Sequence, residues 1–297
     1  MRIGFIGIGN MGWPMAGHVA AGGYTLMVHD LDGEKNVRFA REHNCIAARS
    51  LAEVAENEII IMMLPTGQDV RNVVLNDPSG PLVHALKVGT IVIDMSSSEP
   101  MGTRELGKAL ERSGVTLLDA PVSGAVPRAK AGTLAIMIGG NDQAAIERVK
   151  PMLSTMGKQL FETGPLGTGH AMKALNNYVA AAGYTAVAEA LLVGQRFGLD
   201  QEKMVDILNA STGRNFSTEF MIKEQVIGGK FSTGFALGLM AKDVRIAADL
   251  GEAVGLDAPV SRLIRERWAY ARDRLGATRD TSEAILGWQD DLPEEER

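Results

Sequence analysis

Arg2-Ile3-Gly4-Phe5-Ile6-Gly7-Ile8-Gly9-Asn10-Met11-Gly12 begins as an apolar run and ends in the glycine pattern GxGxxG. The run predicts a β-strand over residues 2–7, and the helical spacing of apolar residues over 11–21 predicts a helix directly behind the glycines. In this order the first glycine permits a tight turn, the second lets the backbone approach a pyrophosphate, and the third lets helix and strand pack closely. The stretch therefore predicts a dinucleotide site at a helix N-terminus, formed by Gly7, Ile8, Gly9, Asn10, Met11 and Gly12.

A second cofactor contact is predicted at Asp30, eighteen residues after Gly12 and directly behind the next predicted strand, Thr25–His29. A carboxylate at this point accepts hydrogen bonds from both ribose hydroxyls of NAD and repels the 2′-phosphate of NADP. An ordinary strand-end turn is the alternative for this residue. Lys35 and Arg38 follow, and both are able to pair with a phosphate. We predict NAD as the cofactor and keep NADP as the alternative.

The rest of the first half alternates short apolar runs with longer amphipathic segments, which is typical of parallel strands and crossover helices covering both faces of a sheet. Further strands are predicted at 59–64, 90–95, 115–119, 134–138 and 159–161. Helices are predicted at 168–197, 201–211, 217–227, 237–254 and 260–274, before a polar tail at 290–297. The predicted fold class is α/β: a Rossmann-type doubly wound sheet over 1–163, followed by an all-α domain over 164–297 that is joined to it by the long helix.

Two loops follow predicted strands, at the edge where open α/β sheets bind ligands. One contains Leu64, Pro65 and Thr66, and the other contains Ser96. Both loops are predicted to border the cofactor. Hydroxyl side chains at such positions also cap helices, so a capping role for Thr66 is compatible with this prediction.

Composition narrows the class of partner. The net charge of −6 and the absence of a strongly basic stretch disfavour nucleic acid and anionic membranes, which leaves small molecules. Cys45 is the only cysteine and the five histidines lack ligand spacing, so we expect neither an intramolecular disulfide nor a metal site. The predicted strand at the start leaves no room for a signal peptide, and the cytoplasm is the expected compartment.

A lysine in a helix rich in Ala, Leu and Met is the candidate for proton chemistry. Lys173 and Asn177 are four residues apart, so their side chains share one helix face, with Asn176 beside them. Partial burial favours the neutral amine, which is the form that accepts a proton. A solvated surface lysine is the alternative. After another predicted strand, Ser123-Gly124 offers a hydroxyl and backbone amides to a carboxylate, or forms an ordinary turn.

Four separated motifs together resemble the β-hydroxyacid dehydrogenase family, which includes 3-hydroxyisobutyrate dehydrogenase and tartronate semialdehyde reductase. They are Gly4–Gly12 with Pro14-Met15-Ala16, Asp119–Gly124, the Gly-rich run from Gly167 to Asn177, and Lys242-Asp243. The resemblance covers nearly the whole chain. It implies catalytic roles for Lys173, as acid/base, and for Asn177. It implies substrate contacts by Ser123, Gly124, Ala125, Asn176 and Arg214, and cofactor contacts by Leu64, Pro65, Thr66, Ser96 and Lys242.

Two of these positions carry alternatives. Many relatives have a second glycine where this chain has Ala125, which leaves the substrate-anchoring loop open to question. Arg214 lies in a segment resembling the one that shapes substrate choice in the family, and a surface ion pair is an equal alternative for it.

The resemblance implies an NAD-dependent enzyme that interconverts a small β-hydroxy acid and its semialdehyde or keto form. Lys173 would exchange the hydroxyl proton while hydride passes to the nicotinamide. The alternatives are a tartronate semialdehyde or other short semialdehyde reductase, another superfamily activity such as 6-phosphogluconate decarboxylation or imine reduction, and a catalytically silent dinucleotide-binding protein. A homodimer or homotetramer is the expected assembly.

Overall fold

A computed structural model describes residues 1–289 of the chain, so the predicted polar tail at 290–297 lies outside the described residues. The chain divides into two compact units, Met1–Lys173 and a second unit that begins at Ala174. The division falls inside the long helix that was predicted over 168–197.

A nine-stranded sheet forms the centre of the first unit. Its strands are β1 Arg2–Ile6, β2 Thr25–His29, β3 Ile46–Ala47, β4 Ile59–Met62, β5 Ile91–Asp94, β6 Thr116–Asp119, β7 Val122–Ser123, β8 Leu134–Gly139 and β9 Gly157–Gly164. The spatial order is β3-β2-β1-β4-β5-β6-β8-β7, and β9 pairs with β8. This doubly wound order starts at β1 and reverses direction after β3, and it confirms the predicted fold class.

The helices of the first unit cover both faces of this sheet. They are α1 Gly12–Ala21, α2 Gly33–His43, α3 Leu51–Val54, α4 Gly67–Arg71, α5 Pro100–Glu111, α6 Ala125–Lys130 and α7 Gln143–Met156. Successive residues of β4 show why its sequence is apolar without interruption: Ile59 and Ile61 pack into one core cluster, while Ile60 and Met62 pack into the other. All four side chains are fully buried, because a strand with helices on both faces has no wet side.

The sheet departs from the parallel arrangement at β8. Strands β1 to β6 pair in parallel, whereas β8 runs antiparallel to β6 and β7. The connection from β6 to β8 contains only β7 and the six-residue helix α6. Ten residues, 124–133, join β7 to β8, which is fewer than the dozen or more that a parallel crossover needs, so these two strands pair antiparallel.

The long helix α8, Thr168–Arg196, begins in the first unit and continues into the second. The other helices of the second unit are α9 Gln201–Ala210, α10 Phe216–Phe220, α11 Leu237–Ala253, α12 Pro259–Leu275 and α13 Ala284–Gln289. Their core includes three aromatic side chains, Tyr184, Trp268 and Trp288, whose ring centroids lie 5.7–6.0 Å apart. The helix predicted at 217–227 is divided: α10 ends at Phe220, and Ile222–Ile227 is a π-helical turn that ends before Gly228. The β-branched Val226 and Ile227 in this turn are weak helix formers.

Candidate active site

The three glycines between β1 and the start of α1 have different surroundings. Gly7 has φ +92°, and a Cβ atom there would lie 2.4 Å from the carbonyl oxygen of Met63. At Gly12 a Cβ atom would lie 1.9 Å from the carbonyl oxygen of Gly7, so only glycine lets the helix start this close to the strand. At Gly9 a Cβ atom would meet nothing within 4 Å. The contacts within the fold explain the first and third glycines, whereas the second faces open space.

The N-terminus of α1 is the feature beside that open space. Its N-cap residue, Met11, makes no side-chain capping hydrogen bond. Backbone amides of the first helical turn have no partner inside the helix, and together with the helix dipole they favour an anion. An open position at Gly9 next to an uncapped helix N-terminus fits the pyrophosphate of a dinucleotide.

Asp30 lies directly behind β2 and reaches the glycine loop. Its Oδ2 accepts a hydrogen bond from the backbone amide of Ile8 at 3.0 Å, and its Oδ1 accepts one from Nζ of Lys35 at 3.2 Å. Oδ1 also accepts from the backbone amide of Asp32 at 3.1 Å, so about one of the four acceptor positions of the carboxylate is left for a ribose hydroxyl. Arg38, the other cation named as a phosphate partner, stacks its guanidinium over the Trp13 ring at 4.6 Å.

The loops after β4 and β5 are tied to each other. The hydroxyl of Ser96 is fully buried and accepts a hydrogen bond from the backbone amide of Leu64 at 2.9 Å. Thr66 caps α4, since its hydroxyl accepts from the backbone amide of Asp69 at 3.1 Å. Pro65, between Leu64 and Thr66 in the chain, is exposed. The predicted cofactor-bordering residues therefore belong to one connected strand-end structure.

Two consecutive residues where β7 passes into α6 lie in the left-handed region. Gly124 has φ +134° and Ala125 has φ +52°. Left-handed backbone is strained for alanine because its Cβ crowds the following carbonyl, and such strain concentrates at functional loops. Ser123, the last residue of β7, is partly exposed at the start of this loop.

Lys173 is the last residue of the first unit and lies in the second turn of α8. Its surface is 9% exposed, so the lysine is a buried residue rather than a solvated surface one. The glycine loop, Asp30, the two strand-end loops and the Ser123–Ala125 loop belong to the same unit. Lysine side chains are seldom buried to this extent.

The other predicted site residues belong to the second unit. The side-chain amide of Asn177 donates to Oδ2 of the buried Asp243 at 2.6 Å, and its oxygen accepts from Asn176 at 3.1 Å. Lys242 is partly buried on α11. The side chain of Arg214 is 64% exposed, with Nε 3.4 Å from Oε1 of Glu219.

Sequence reasoning assigned no role to two buried acids, Asp94 and Asp119. Each is the last residue of an apolar strand, Ile91–Asp94 and Thr116–Asp119, and this repeated pattern was the available signal. Asp94 accepts hydrogen bonds from the loop after β5, and Asp119 accepts them from the start of α8 and the residue before it. In the described part of the chain, no group of three or more His, Cys, Asp or Glu side chains has the arrangement of a metal site.

The parallel sheet, the glycine loop and the uncapped helix define a Rossmann-type dinucleotide-binding unit. Residues 2–164 match the family described as the NAD binding domain of 6-phosphogluconate dehydrogenase. Residues 167–287 match the family described as NAD-binding of NADP-dependent 3-hydroxyisobutyrate dehydrogenase.

Individual relatives extend over almost the whole chain. It is 35% identical to 2-(hydroxymethyl)glutarate dehydrogenase of Eubacterium barkeri, over 97% of this chain and 95% of that one. It is 34% identical to NAD-dependent L-serine dehydrogenase of Pseudomonas aeruginosa, over 95% of each chain. A solved structure of Mycobacterium tuberculosis 3-hydroxyisobutyrate dehydrogenase with L-serine has a TM-score of 0.88 and 31% identity, covering 97% of this chain and 99% of that one.

The chain belongs to the β-hydroxyacid dehydrogenase family, which confirms the resemblance found in its motifs. It is an NAD(P)-dependent oxidoreductase that acts on hydroxyl groups. Across residues 1–289, none of the helices is both long and apolar enough to cross a membrane.

Proposed function

We propose that this enzyme interconverts a small 3-hydroxy acid and its semialdehyde, with Lys173 as the acid/base. The observation that carries the proposal is a buried lysine in the same unit as the glycine loop and the strand-end loops. A buried lysine in this unit favours an enzyme over a catalytically silent dinucleotide-binding protein, because buried ionisable groups are concentrated at functional sites.

The names of the relatives support a substrate class. 2-(Hydroxymethyl)glutarate, L-serine and 3-hydroxyisobutyrate share a primary alcohol two bonds away from a carboxylate, and they differ in the substituent at carbon 2. The substituents are carboxyethyl, amino and methyl. We infer that this chain takes the shared 3-hydroxypropanoate unit, and a panel of these acids with glycerate would show which substituent it accepts.

In the oxidation direction the neutral amine of Lys173 takes the proton of the substrate hydroxyl. The hydroxyl and backbone amides of Ser123, Gly124 and Ala125 hold the substrate carboxylate. Asn177, one helical turn beyond Lys173, orients the reacting oxygen, and Asp243 fixes the amide of Asn177 for that task. The nicotinamide, when bound, accepts the hydride of the hydroxyl-bearing carbon.

The decisive variant is Lys173→Ala, followed by NADH absorbance at 340 nm. Loss of the acid/base should lower kcat by roughly 10²- to 10⁴-fold, while the NADH dissociation constant stays within about twofold. Lys158→Ala removes an exposed lysine of the same unit and serves as the matched control. Near-normal kcat in Lys173→Ala would remove the assignment.

NAD is the proposed cofactor because the cations near the ribose position already have partners. Lys35 pairs with Asp30 itself, and Arg38 stacks on Trp13. We expect kcat/KM to be at least roughly tenfold higher with NAD than with NADP, and Asp30→Ala to reduce that ratio. An unchanged ratio in the variant would show that another group selects the cofactor.

We also infer a cytoplasmic homo-oligomer, a dimer or a tetramer. Its support is the single, unpaired Cys45 together with large apolar side chains left exposed on the second unit, among them Phe197, Phe216 and Phe220. Light scattering coupled to size exclusion measures the mass, and a monomeric mass at micromolar concentration would contradict the inference.

A further inference from the structure

Two buried carboxylates stand side by side at the carboxyl ends of β5 and β6. Asp94 and Asp119 are register partners on these parallel strands, and their exposed fractions are 2% and 0%. Neighbouring strands lie about 4.8 Å apart, so two ionised acids at this position repel each other. The arrangement needs hydrogen-bond donors and positive or polarised groups between the two side chains.

Asp94 organises the loop that was predicted to border the cofactor. Its Oδ1 accepts from the backbone amide of Ser96 at 2.9 Å, and its Oδ2 accepts from the hydroxyl of Ser98 at 2.7 Å. Ser96 in turn holds the amide of Leu64. The Asp94 carboxylate thereby fixes the shape of both neighbouring strand-end loops.

Asp119 organises the start of the helix that carries Lys173. Its Oδ1 accepts from the backbone amide of Gly167 at 2.7 Å, and its Oδ2 accepts from the backbone amide of His170 at 2.8 Å. Two glycines make room for it: a Cβ atom at Gly139 would lie 2.4 Å from Oδ1, and one at Gly169 would lie 2.8 Å from Oδ2. A buried carboxylate that accepts amides at a helix N-terminus is a strong anchor, because it satisfies orphan donors and opposes the helix dipole.

The imidazole of His170 lies between the two acids. Its Nε2 is 3.7 Å from Oδ2 of Asp94, and its Nδ1 is 3.8 Å from Oδ2 of Asp119. Nδ1 also lies 2.8 Å from the hydroxyl of Thr103 on α5. Among the described residues Nε2 has no hydrogen-bond partner, and its side chain is completely buried.

We propose that His170 is a positioning residue for Lys173. The hydrogen bond between its Nδ1 and Thr103 locks the first turn of α8 to α5, while its Nε2 faces Asp94 at the end of β5. Lys173 follows three residues later on the same side of the helix. All four residues belong to the first unit, so this lock sets the amine of Lys173 relative to the loops predicted to border the cofactor. The inference rests on the proposed role of Lys173.

The test is a double-mutant cycle between positions 170 and 173 in the full-length enzyme. His170→Ala removes the lock, and His170→Asn keeps a polar group at the Nδ1 position for Thr103 but cannot reach Asp94. We expect His170→Ala to lower kcat on the order of 100-fold, with KM for NAD and the NADH dissociation constant within about twofold, because a misplacement near 1 Å costs this much in rate. His170→Asn should recover part of the loss, and Thr103→Val should show a smaller one.

Positioning is separated from general destabilisation by measuring the effect of His170→Ala on the residual rate of the Lys173→Ala variant. If His170 acts through the amine, His170→Ala changes the residual rate of Lys173→Ala by less than about twofold. Val149→Ala, a fully buried core truncation on α7 in the same unit, controls for lost stability. Two results would overturn the inference: a kcat loss equal to that of Val149→Ala at matched urea stability, or the same fold-loss with and without Lys173.

The outcomes also separate this inference from the proposed function. Normal turnover in Lys173→Ala removes the acid/base assignment and, with it, the inference. Collapsed turnover in Lys173→Ala together with normal turnover in His170→Ala removes the inference alone. Should His170→Ala fail to fold, His170→Asn and Thr103→Val carry the same comparison, and wild-type kcat in both would count against the lock.

Discussion

Replacing Gly9 with alanine tests the fit of the dinucleotide, because this position is free of contacts within the fold. The new methyl group meets no atom within 4 Å, and Gly9 does not occupy the left-handed backbone region. Folding therefore incurs no overpacking, and the smaller entropy of the unfolded chain should stabilise the variant by about 0.4–1 kcal/mol. The same methyl group stands where the backbone is expected to meet the pyrophosphate.

The expected loss of NADH affinity follows from the amides that the methyl group would hold away from the phosphates. A hydrogen bond to a charged group contributes about 1.5–3 kcal/mol, so the loss of one such bond weakens binding roughly 10- to 150-fold. Calorimetric titration with NADH measures the affinity, and urea unfolding followed by circular dichroism measures the stability.

Two further glycines complete the comparison. In Gly12→Ala the Cβ would lie 1.9 Å from a backbone oxygen, so we expect destabilisation of about 3 kcal/mol, near the upper end for overpacked sites. Gly251→Ala adds a methyl group on α11, where the nearest atom is 3.7 Å away, and should leave NADH binding unchanged. A Gly9→Ala variant that is stable and binds NADH as the wild type does would refute the placement of the pyrophosphate at this loop.

Three other predictions use strain and burial in the first unit. Ala125→Gly relieves left-handed strain of about 1–2 kcal/mol and loses about 0.4–1 kcal/mol to the larger entropy of the unfolded chain, so urea unfolding should show a net gain of up to about 1.5 kcal/mol. A clear loss of stability would contradict the strain argument. Burial raises the pKa of the Cys45 thiol to about 11 from 9.0, so at pH 8 Ellman's reagent should react about 100-fold more slowly with native than with unfolded protein. Equal rates in the two states would show that the thiolate is accessible in the native protein. Burial lowers the pKa of His29 below its ordinary 6.5, so the unfolded chain binds this proton more readily and the stability falls as the pH drops through about 6.5. Between pH 7.5 and pH 5 the urea midpoint should therefore fall less in His29→Gln than in the wild type. The same dependence of the midpoint on pH in both proteins would exclude this histidine as a cause.

The sheet was predictable because burial on both faces leaves a distinctive pattern in the strand sequences. The predicted strands at 2–7, 25–29 and 134–138 agree with β1, β2 and β8 to within one residue at each end. The missed strands are Ile46–Ala47 and Val122–Ser123, and two residues are too few to show any period. The reversal at β8 was missed as well, since the apolar pattern of a strand does not show the direction in which the strand runs.

The glycine loop was predictable for a different reason. Its function requires a particular backbone conformation, and only glycine fits that conformation at the crowded positions. Gly7 and Gly12 are constrained by atoms within a few residues or next to an adjacent strand, so the motif can be recognised in a short stretch of sequence. Gly9 is recognised as part of the motif only together with Gly7 and Gly12, because no contact within the fold requires a glycine there.

The contacts among Asp94, Asp119 and His170 could not be predicted from the sequence. Asp94, Asp119 and His170 are separated by 25 and 51 positions, and each alone has an ordinary explanation as a strand-end turn or a helix-start residue. Strand register brings the two acids together, and the capping of α8 by Asp119 then brings the imidazole between them. A sequence can therefore show which strands end at the edge where parallel sheets bind ligands. The hydrogen-bond partners of each side chain at that edge depend on strand register and on the first turn of a helix far along the chain. Those contacts determine how firmly Lys173 is held.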